Sequence, residues 1–234
     1  MLVAECPPVP AVRVAEARAW AERRHGQVSF AVRSADGRLV GWRVRRTVPT
    51  ASVLKPMLLA AYLDRARSRA LTRAERGTLA AMIRRSDNAA AGRVLAVVGP
   101  AGLRRVAHRA GMRHFRPVVP VWGMSRTDAA DQTRFFLGLE RFLAPRHRAW
   151  GMSLLRTIVP SQRWGIGRLR LPAWRVYFKG GWGSGTGRVD HQVALLRGCG
   201  GERLSVAVMS EFDGTHAYGK RTLQGVFRRL LRGF

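Results

Sequence analysis

Strand-like alternation is confined to the two ends of this chain, and helical periodicity fills the stretch between them. Gln27-Val-Ser-Phe-Ala-Val-Arg and Leu39-Val-Gly-Trp-Arg-Val-Arg alternate about the turn chemistry of Ser34-Ala-Asp-Gly37. At the other end, Trp174-Arg-Val-Tyr-Phe-Lys179 reads as a strand leading into a glycine-rich loop over 180–187. His191 to Arg197 and Leu204 to Ser210 then read as a second hairpin. Strands separated this widely can share a sheet only if the two chain ends come together. The expected fold class is therefore α+β, an antiparallel β-sheet flanked by helices with an inserted all-helical lobe. The expected division is a sheet lobe from 1–46 with 172–234, and a helical lobe over 47–171.

Helices are expected from the spacing of apolar residues. Residues 11–25 place Val12, Ala15, Ala19 and Trp20 near one face. Ser52 to Arg67 reads as one helix, and Pro56 favours a start close to Ser52 because proline is tolerated only in a first turn. Thr72-x-x-Glu75 is a capping box opening a helix to Arg84. Asn88 to Val98 and Pro100 to Ala110 are two more, parted by Gly99-Pro100. Residues 111–124 are irregular, Ser125 to Asp128 caps a helix to about Leu143, and His147 to Ile158 is another. Thr215 to Leu231 closes the chain as a basic amphipathic helix, with Ala217, Leu223, Val226, Phe227, Leu230 and Leu231 packing on the sheet.

The first helix of the insertion opens on Ser52-Val-Leu-Lys55. Residues three apart share a helix face, so the hydroxyl and the amine can meet. Serine is a weak nucleophile until a neighbouring base takes its proton, and a lysine whose pKa is lowered by burial can do so. Of 42 Lys and Arg residues only Lys55, Lys179 and Lys220 are lysines. Retaining lysine in so arginine-rich a chain points to a role arginine cannot fill, giving up its proton. The same four residues also fit an ordinary solvated helix start. Two further motifs carry the same duality. Ser86-Asp-Asn88 is a helix N-cap cluster or a proton-shuttling hydroxyl with a substrate-binding amide. Lys179-Gly-Gly181 is a turn, or a cation beside a strand edge that pairs with substrate backbone.

The net charge of +28 attracts polyanions. An anionic cell-envelope polymer and phospholipid headgroups are candidate partners. No zinc-finger spacing, aromatic RNA-binding signature or dense basic tail accompanies the charge, so no specific nucleic acid is expected. A compositional bias placed on solvated faces explains the same arginines. Cys6 and Cys199 lack metal-ligand spacing and read as two small apolar residues, so neither metal nor cofactor is expected. No apolar run is long enough for a membrane span, and the first residues show no signal-peptide pattern.

Ser52-Val-Leu-Lys55, Ser86-Asp-Asn88 and Lys179-Gly-Gly181, in this order, resemble the class A β-lactamase and penicillin-binding-protein superfamily. The block order of the whole chain resembles that fold as well. The resemblance implies an active-site serine hydrolase or acyltransferase, acting on a β-lactam or a cell-wall peptide amide and located outside the cytoplasm. It implies Ser52 as the acylated nucleophile, Lys55 as its base, and Ser86 as the donor to the leaving nitrogen. Asn88 would bind a substrate amide and Lys179 would supply charge near the substrate carboxylate. The strand edge at Gly180, Gly181 and Trp182 would bind substrate, with the N–H groups of Ser52 and Trp182 as an oxyanion hole.

Two departures stand out. The third motif usually has a hydroxyl residue where this chain has Gly180, and a small residue where it has Trp182. The glutamate of a Glu-x-x-x-Asn loop, which activates the deacylating water in class A enzymes, has no counterpart, because no acid occurs between Asp87 and Asp128. His114 reads as a surface or packing histidine, and Asp128 and Asp131 as cap and first-turn charge. Slow deacylation is the expectation. A non-catalytic binding module on the same scaffold and a polyanion-binding protein remain as alternatives.

Overall fold

The computed structural model describes residues 11–183 and 188–234. Cys6, the residues read for a signal peptide, and the 184–187 part of the expected loop lie outside them. The element order is α1 (Ala11–Glu22), β1 (Gln27–Ser34), β2 (Leu39–Trp42), β3 (Val48–Pro49), α2 (Lys55–Arg65), α3 (Arg73–Arg84) and α4 (Asn88–Arg109). There follow β4 (Arg126–Thr127), α5 (Ala129–Leu137), α6 (Leu139–Phe142), α7 (Arg148–Arg156), β5 (Trp174–Gly183), β6 (Val189–Gly198), β7 (Arg203–Glu211) and α8 (His216–Leu230).

The sheet is five-stranded and antiparallel in the order β2-β1-β7-β6-β5. β1 from one end of the chain pairs with β7 from the other, which is the joining of ends that the alternation required. β5 is an edge strand, so one row of its backbone groups is free of sheet pairing and faces the helical part. β3 and β4 form a separate two-stranded ladder that ties the segment before Ser52 to the segment before α5.

α2 is the centre of the helical part. Met57, Leu58, Leu59, Ala60, Ala61 and Leu63 are all buried, leaving little polar face, as suits a helix surrounded by others. The expected helix from Ser52 is two elements. A 3-10 turn over Ala51–Leu54 precedes α2, which starts at Lys55 with Pro56 in its first turn. Proline cannot donate to the preceding turn, so the regular helix begins beside it. Pro100 and Gly99 act alike in α4: Gly99 (φ 60°, ψ 176°) interrupts the helix at the expected break.

Other expectations shift in detail. On α1 the buried residues are Ala17 and Ala21, whereas Val12 is 61% exposed. The helix packs on α8 through Trp20 together with these small residues, and Val12 stays in solvent. On α8, Leu223, Val226, Phe227, Leu230 and Leu231 are buried but Ala217 is exposed, because it lies in the first turn. Within the capping segment Ser125 to Asp128 the cap is Asp128, as expected, accepting from Asp131 N at 2.7 Å. β5 continues past Lys179 through Gly180, Gly181 and Trp182, since each pairs with β6. Cys199 is exposed in the β6–β7 turn. Among the described residues no helix is long and apolar enough to cross a membrane.

The capping box at α3 forms as the spacing indicates: Glu75 N donates to Thr72 Oγ1, and Thr72 N to Glu75 Oε2. Thr72→Ala should lower stability by about 1 kcal/mol. Thermal unfolding checks this, with an expected fall of about 2–4 °C for a chain of this size.

Candidate active site

Three segments far apart in sequence meet between α2, the α3–α4 connection and β5. Ser52 sits in the 3-10 turn and is 6% exposed. The preceding Ala51 has φ 43°, and Ser86 has φ 58°, left-handed conformations that cost a non-glycine residue about 1–3 kcal/mol. The surrounding contacts hold both residues there. The N–H of Thr50 donates to Ser125 O at 2.7 Å, and the two neighbouring residues of β3 pair with β4.

Lys55 is fully buried at the start of an otherwise apolar helix. Its Nζ donates to Ser86 O, to Ser86 Oγ at 3.1 Å and to Asn88 Oδ1 at 2.9 Å. The Trp122 ring centroid lies 4.9 Å from the same nitrogen. Burial pushes the Lys55 amine down to about 7, against the opposing pull of the Asp87 carboxylate. Lys179 is also fully buried and donates to Ser86 Oγ at 2.9 Å and to Gly180 O at 2.6 Å. Burial, and then the Lys55 charge, hold it well below the usual lysine range. One hydroxyl, Ser86 Oγ, therefore bridges two amines.

The structure brings Lys55, Ser86, Asn88 and Lys179 into one hydrogen-bonded group, with Ser52 one helical turn before Lys55. A direct Ser52–Lys55 side-chain hydrogen bond, allowed by their spacing, is not formed. Among the described residues, Ser52 Oγ makes no hydrogen bond, because Lys55 Nζ is directed to the α3–α4 connection. Gly181 packs against the Ser52 turn, and a Cβ there would lie 2.9 Å from both Ser52 N and Val53 N. Only glycine allows β5 this close to the 3-10 turn. At Gly180 a Cβ would lie 2.7 and 2.8 Å from the Trp164 ring, so this indole occupies the space of a side chain at 180. Trp182 stacks on His216 at 5.5 Å, and Trp164 meets both edge-on.

Sequence reasoning missed the residues that hold these groups in place. Gln192 opposes Gly180 in the sheet and grips the Trp164 loop, donating to Trp164 O and accepting from Ile166 N. His191 is fully buried. Its Nε2 faces Pro49 O at 2.9 Å, an acceptor that takes a ring N–H, while its Nδ1 lies between Asp190 O at 2.9 Å and Ser210 N at 3.2 Å. Burial lowers the His191 pKa, in keeping with a neutral ring. The segment leading to Ser52 is thereby tied to β6. Nothing in the pattern of either residue signals these roles, because both lie within an ordinary strand run.

His114, Asp128 and Asp131 cluster within 4.8 Å. Their ligand atoms are already engaged. Asp131 accepts from Arg113 N and His114 N, at 2.9 and 2.6 Å. Asp128 caps α5 with Oδ1 and pairs through Oδ2 with His114 Nδ1 at 2.6 Å. The cluster clamps the start of the 115–124 loop, which carries Trp122, onto α5. Among the described residues, no carboxylate hydrogen-bonds to Ser52, Lys55, Ser86, Asn88 or Lys179.

Comparison with known proteins agrees with this architecture. An ancestral class A β-lactamase (GNCA) superposes with a TM-score of 0.79 at 21% identity, covering 95% of this chain and 100% of that one. The β-lactamase from Sphaerobacter thermophilus DSM 20745 gives 0.78 at 22% identity, covering 95% and 97%. A β-lactamase from Chitinophaga pinensis DSM 2588 gives 0.78 at 16%, covering 93% and 97%. These likenesses establish the fold. Comparison with curated proteins finds no match. The profile described as the Beta-lactamase enzyme family matches residues 75–225, a span that includes Ser86-Asp-Asn88 and Lys179-Gly-Gly181 but begins after Lys55. By that match, over more than half its length and with the fold in accord, the chain belongs to the β-lactamase enzyme family.

Proposed function

We propose that this serine hydrolase forms an acyl-enzyme on Ser52 by attack on a β-lactam ring or a cell-wall peptide amide. The observation that carries the reading is Ser86 Oγ held between Lys55 Nζ and Lys179 Nζ, with Ser52 one turn before Lys55 and directly after the strained Ala51. Neutral Lys55 takes the Ser52 proton, directly or through a water, as Oγ bonds to the substrate carbonyl carbon. The negative charge moves to the carbonyl oxygen, where the N–H groups of Ser52 and Trp182 receive it; such a donor is worth about 3 kcal/mol. The proton passes by way of Ser86 Oγ to the amide nitrogen as the C–N bond breaks. Asn88 Oδ1 is occupied by Lys55, which leaves its Nδ2 to donate to a substrate amide carbonyl. Lys179 orients Ser86 and favours an anionic group on the substrate.

Among the described residues, no carboxylate is hydrogen-bonded to the amine–hydroxyl group to serve the second half of the cycle. Asp128 is turned to His114 and fully buried, and what lies over Lys55 Nζ is the Trp122 ring, its centroid 4.9 Å away. The ester on Ser52 is then hydrolysed slowly, and an acceptor amine can compete with water. A fluorescent penicillin should label the protein covalently and persistently, and Ser52→Ala should abolish labelling. An unlabelled wild-type protein beside a labelled control enzyme counts against β-lactam recognition, and labelled Ser52→Ala counts against the nucleophile. The rate of labelling should rise as pH passes through about 7, because only the deprotonated Lys55 amine is a base. Stopped-time labelling between pH 5 and 9 reads this slope; a rate falling with pH contradicts the role of Lys55.

Trp164 accounts for the missing hydroxyl at position 180. Gly180→Thr should cost about 1–3 kcal/mol through overpacking against that indole. In a double-mutant cycle with Trp164→Leu, read by denaturant unfolding, the two substitutions should couple favourably by about 1 kcal/mol or more.

A further inference from the structure

Where α1 crosses α8, on a face built from the two ends of the chain, lies a groove of about 330 Å³. It is lined chiefly by Trp20, Arg24, Arg221, Gln224, Arg228 and Arg229, and among the described residues none of its lining side chains is acidic. The guanidinium groups are oriented rather than loosely solvated. Trp20 packs against Gly225 and donates Nε1–H to Thr222 O at 3.1 Å. Arg24 stacks 4.8 Å from the Trp20 ring centroid and 3.8 Å from that of Tyr218, with Nε donating to Thr222 Oγ1 at 3.0 Å. Arg229 stacks 4.3 Å from the Trp20 centroid and donates one Nη to Gly225 O at 3.0 Å. Among the described residues, each stacked arginine keeps terminal N–H groups with no protein acceptor. The nearby carboxylates are spent elsewhere: Glu16 on Arg232 and Glu22 on Arg18. Burial, and then the like charges of Arg23, Arg228 and Arg232, lower the pKa of Arg229 against the opposing pull of Glu16.

Such a site suits an anion with several oxygens in a fixed geometry, because the guanidinium fork pairs with phosphate through two bonds at once. Four arginines along one groove suit more than one phosphate. Bases have no free aromatic face to stack on, since Arg24 and Arg229 cover Trp20 and Arg24 and Arg221 lie over Tyr218. The groove is concave and none of its lining residues is an exposed large apolar side chain, so it offers nothing to insert into a bilayer. We propose that the α1–α8 groove binds successive phosphates of a linear polyol-phosphate polymer, holding the protein on an anionic matrix.

Fluorescently labelled poly(glycerol phosphate) and the full chain, followed by anisotropy at about 0.15 M salt, test this. Arg24→Gln/Arg229→Gln and Arg221→Gln/Arg228→Gln should each weaken binding by about 10-fold or more and flatten the salt dependence. Arg104→Gln/Arg105→Gln, on the exposed face of α4, removes the same charge and should change affinity less than about 2-fold. If the stacked pair fails to fold, the exposed pair Arg221 and Arg228 carries the test. Equal losses in groove and control variants overturn the proposal in favour of bulk charge. So does no measurable binding by the wild-type protein. Tighter, groove-dependent binding to a single-stranded oligonucleotide, or to phosphatidylglycerol vesicles, overturns the assigned ligand.

Discussion

Two fully buried amines that share one hydroxyl are the constraint on which the rest of this structure turns. An ammonium removed from water is costly unless its charge is lost or its donors are met. Here both happen. Lys55 and Lys179 are shifted towards the neutral amine, and their hydrogens find Ser86, Asn88 and the carbonyl of Gly180. Two positive charges a few ångströms apart would repel, so protonation of one disfavours protonation of the other. The same arrangement that makes the group expensive makes it useful, because a neutral buried amine is a base near neutral pH.

The elements around it are placed to allow that meeting. α2 delivers Lys55 at its first residue, the α3–α4 connection delivers Ser86 in a left-handed conformation, and β5 delivers Lys179 at the sheet edge. The edge approaches the Ser52 turn only because Gly181 has no side chain. Beside it, Gln192 fixes the Trp164 loop, and Trp164 fills the volume above Gly180. His191 pulls on Pro49 from the sheet side, while Ser125 O receives Thr50 N from the loop side. The strained Ala51 is thus over-determined from two directions, which is how such a conformation persists.

The few acids of this chain serve structure in the described residues. Asp131 and Asp128 clamp a loop, Glu75 closes a capping box, and Glu140 pairs with Arg197 and Arg203. Asp190 meets His216, and Asp213 beside it is pushed up to about 6 by burial and then by the Asp190 charge. None is hydrogen-bonded to the amine–hydroxyl group. Its chemistry is consequently that of amines and hydroxyls, set in a protein whose surface is dominated by arginine.

The amino-acid order determined the sheet of joined ends, the break at Gly99, the capping box and the three motifs, because each rests on residues close together in sequence or on a repeat in polarity. It also determined that no acid lies between Asp87 and Asp128 to stand beside Lys55. Tertiary structure decided what the motifs do to one another. Whether Lys55 turns to Ser52 or to Ser86, whether Asp128 is free or taken by His114, and why position 180 is glycine all depend on groups outside the local stretch of chain. Trp122, Trp164, His191 and Gln192 carry no local signal, since aromatic and polar residues at those spacings satisfy many environments. Burial is what converts Lys55 and Lys179 from ordinary cations into coupled amines, and burial belongs to the packed molecule, which no stretch of the chain specifies alone.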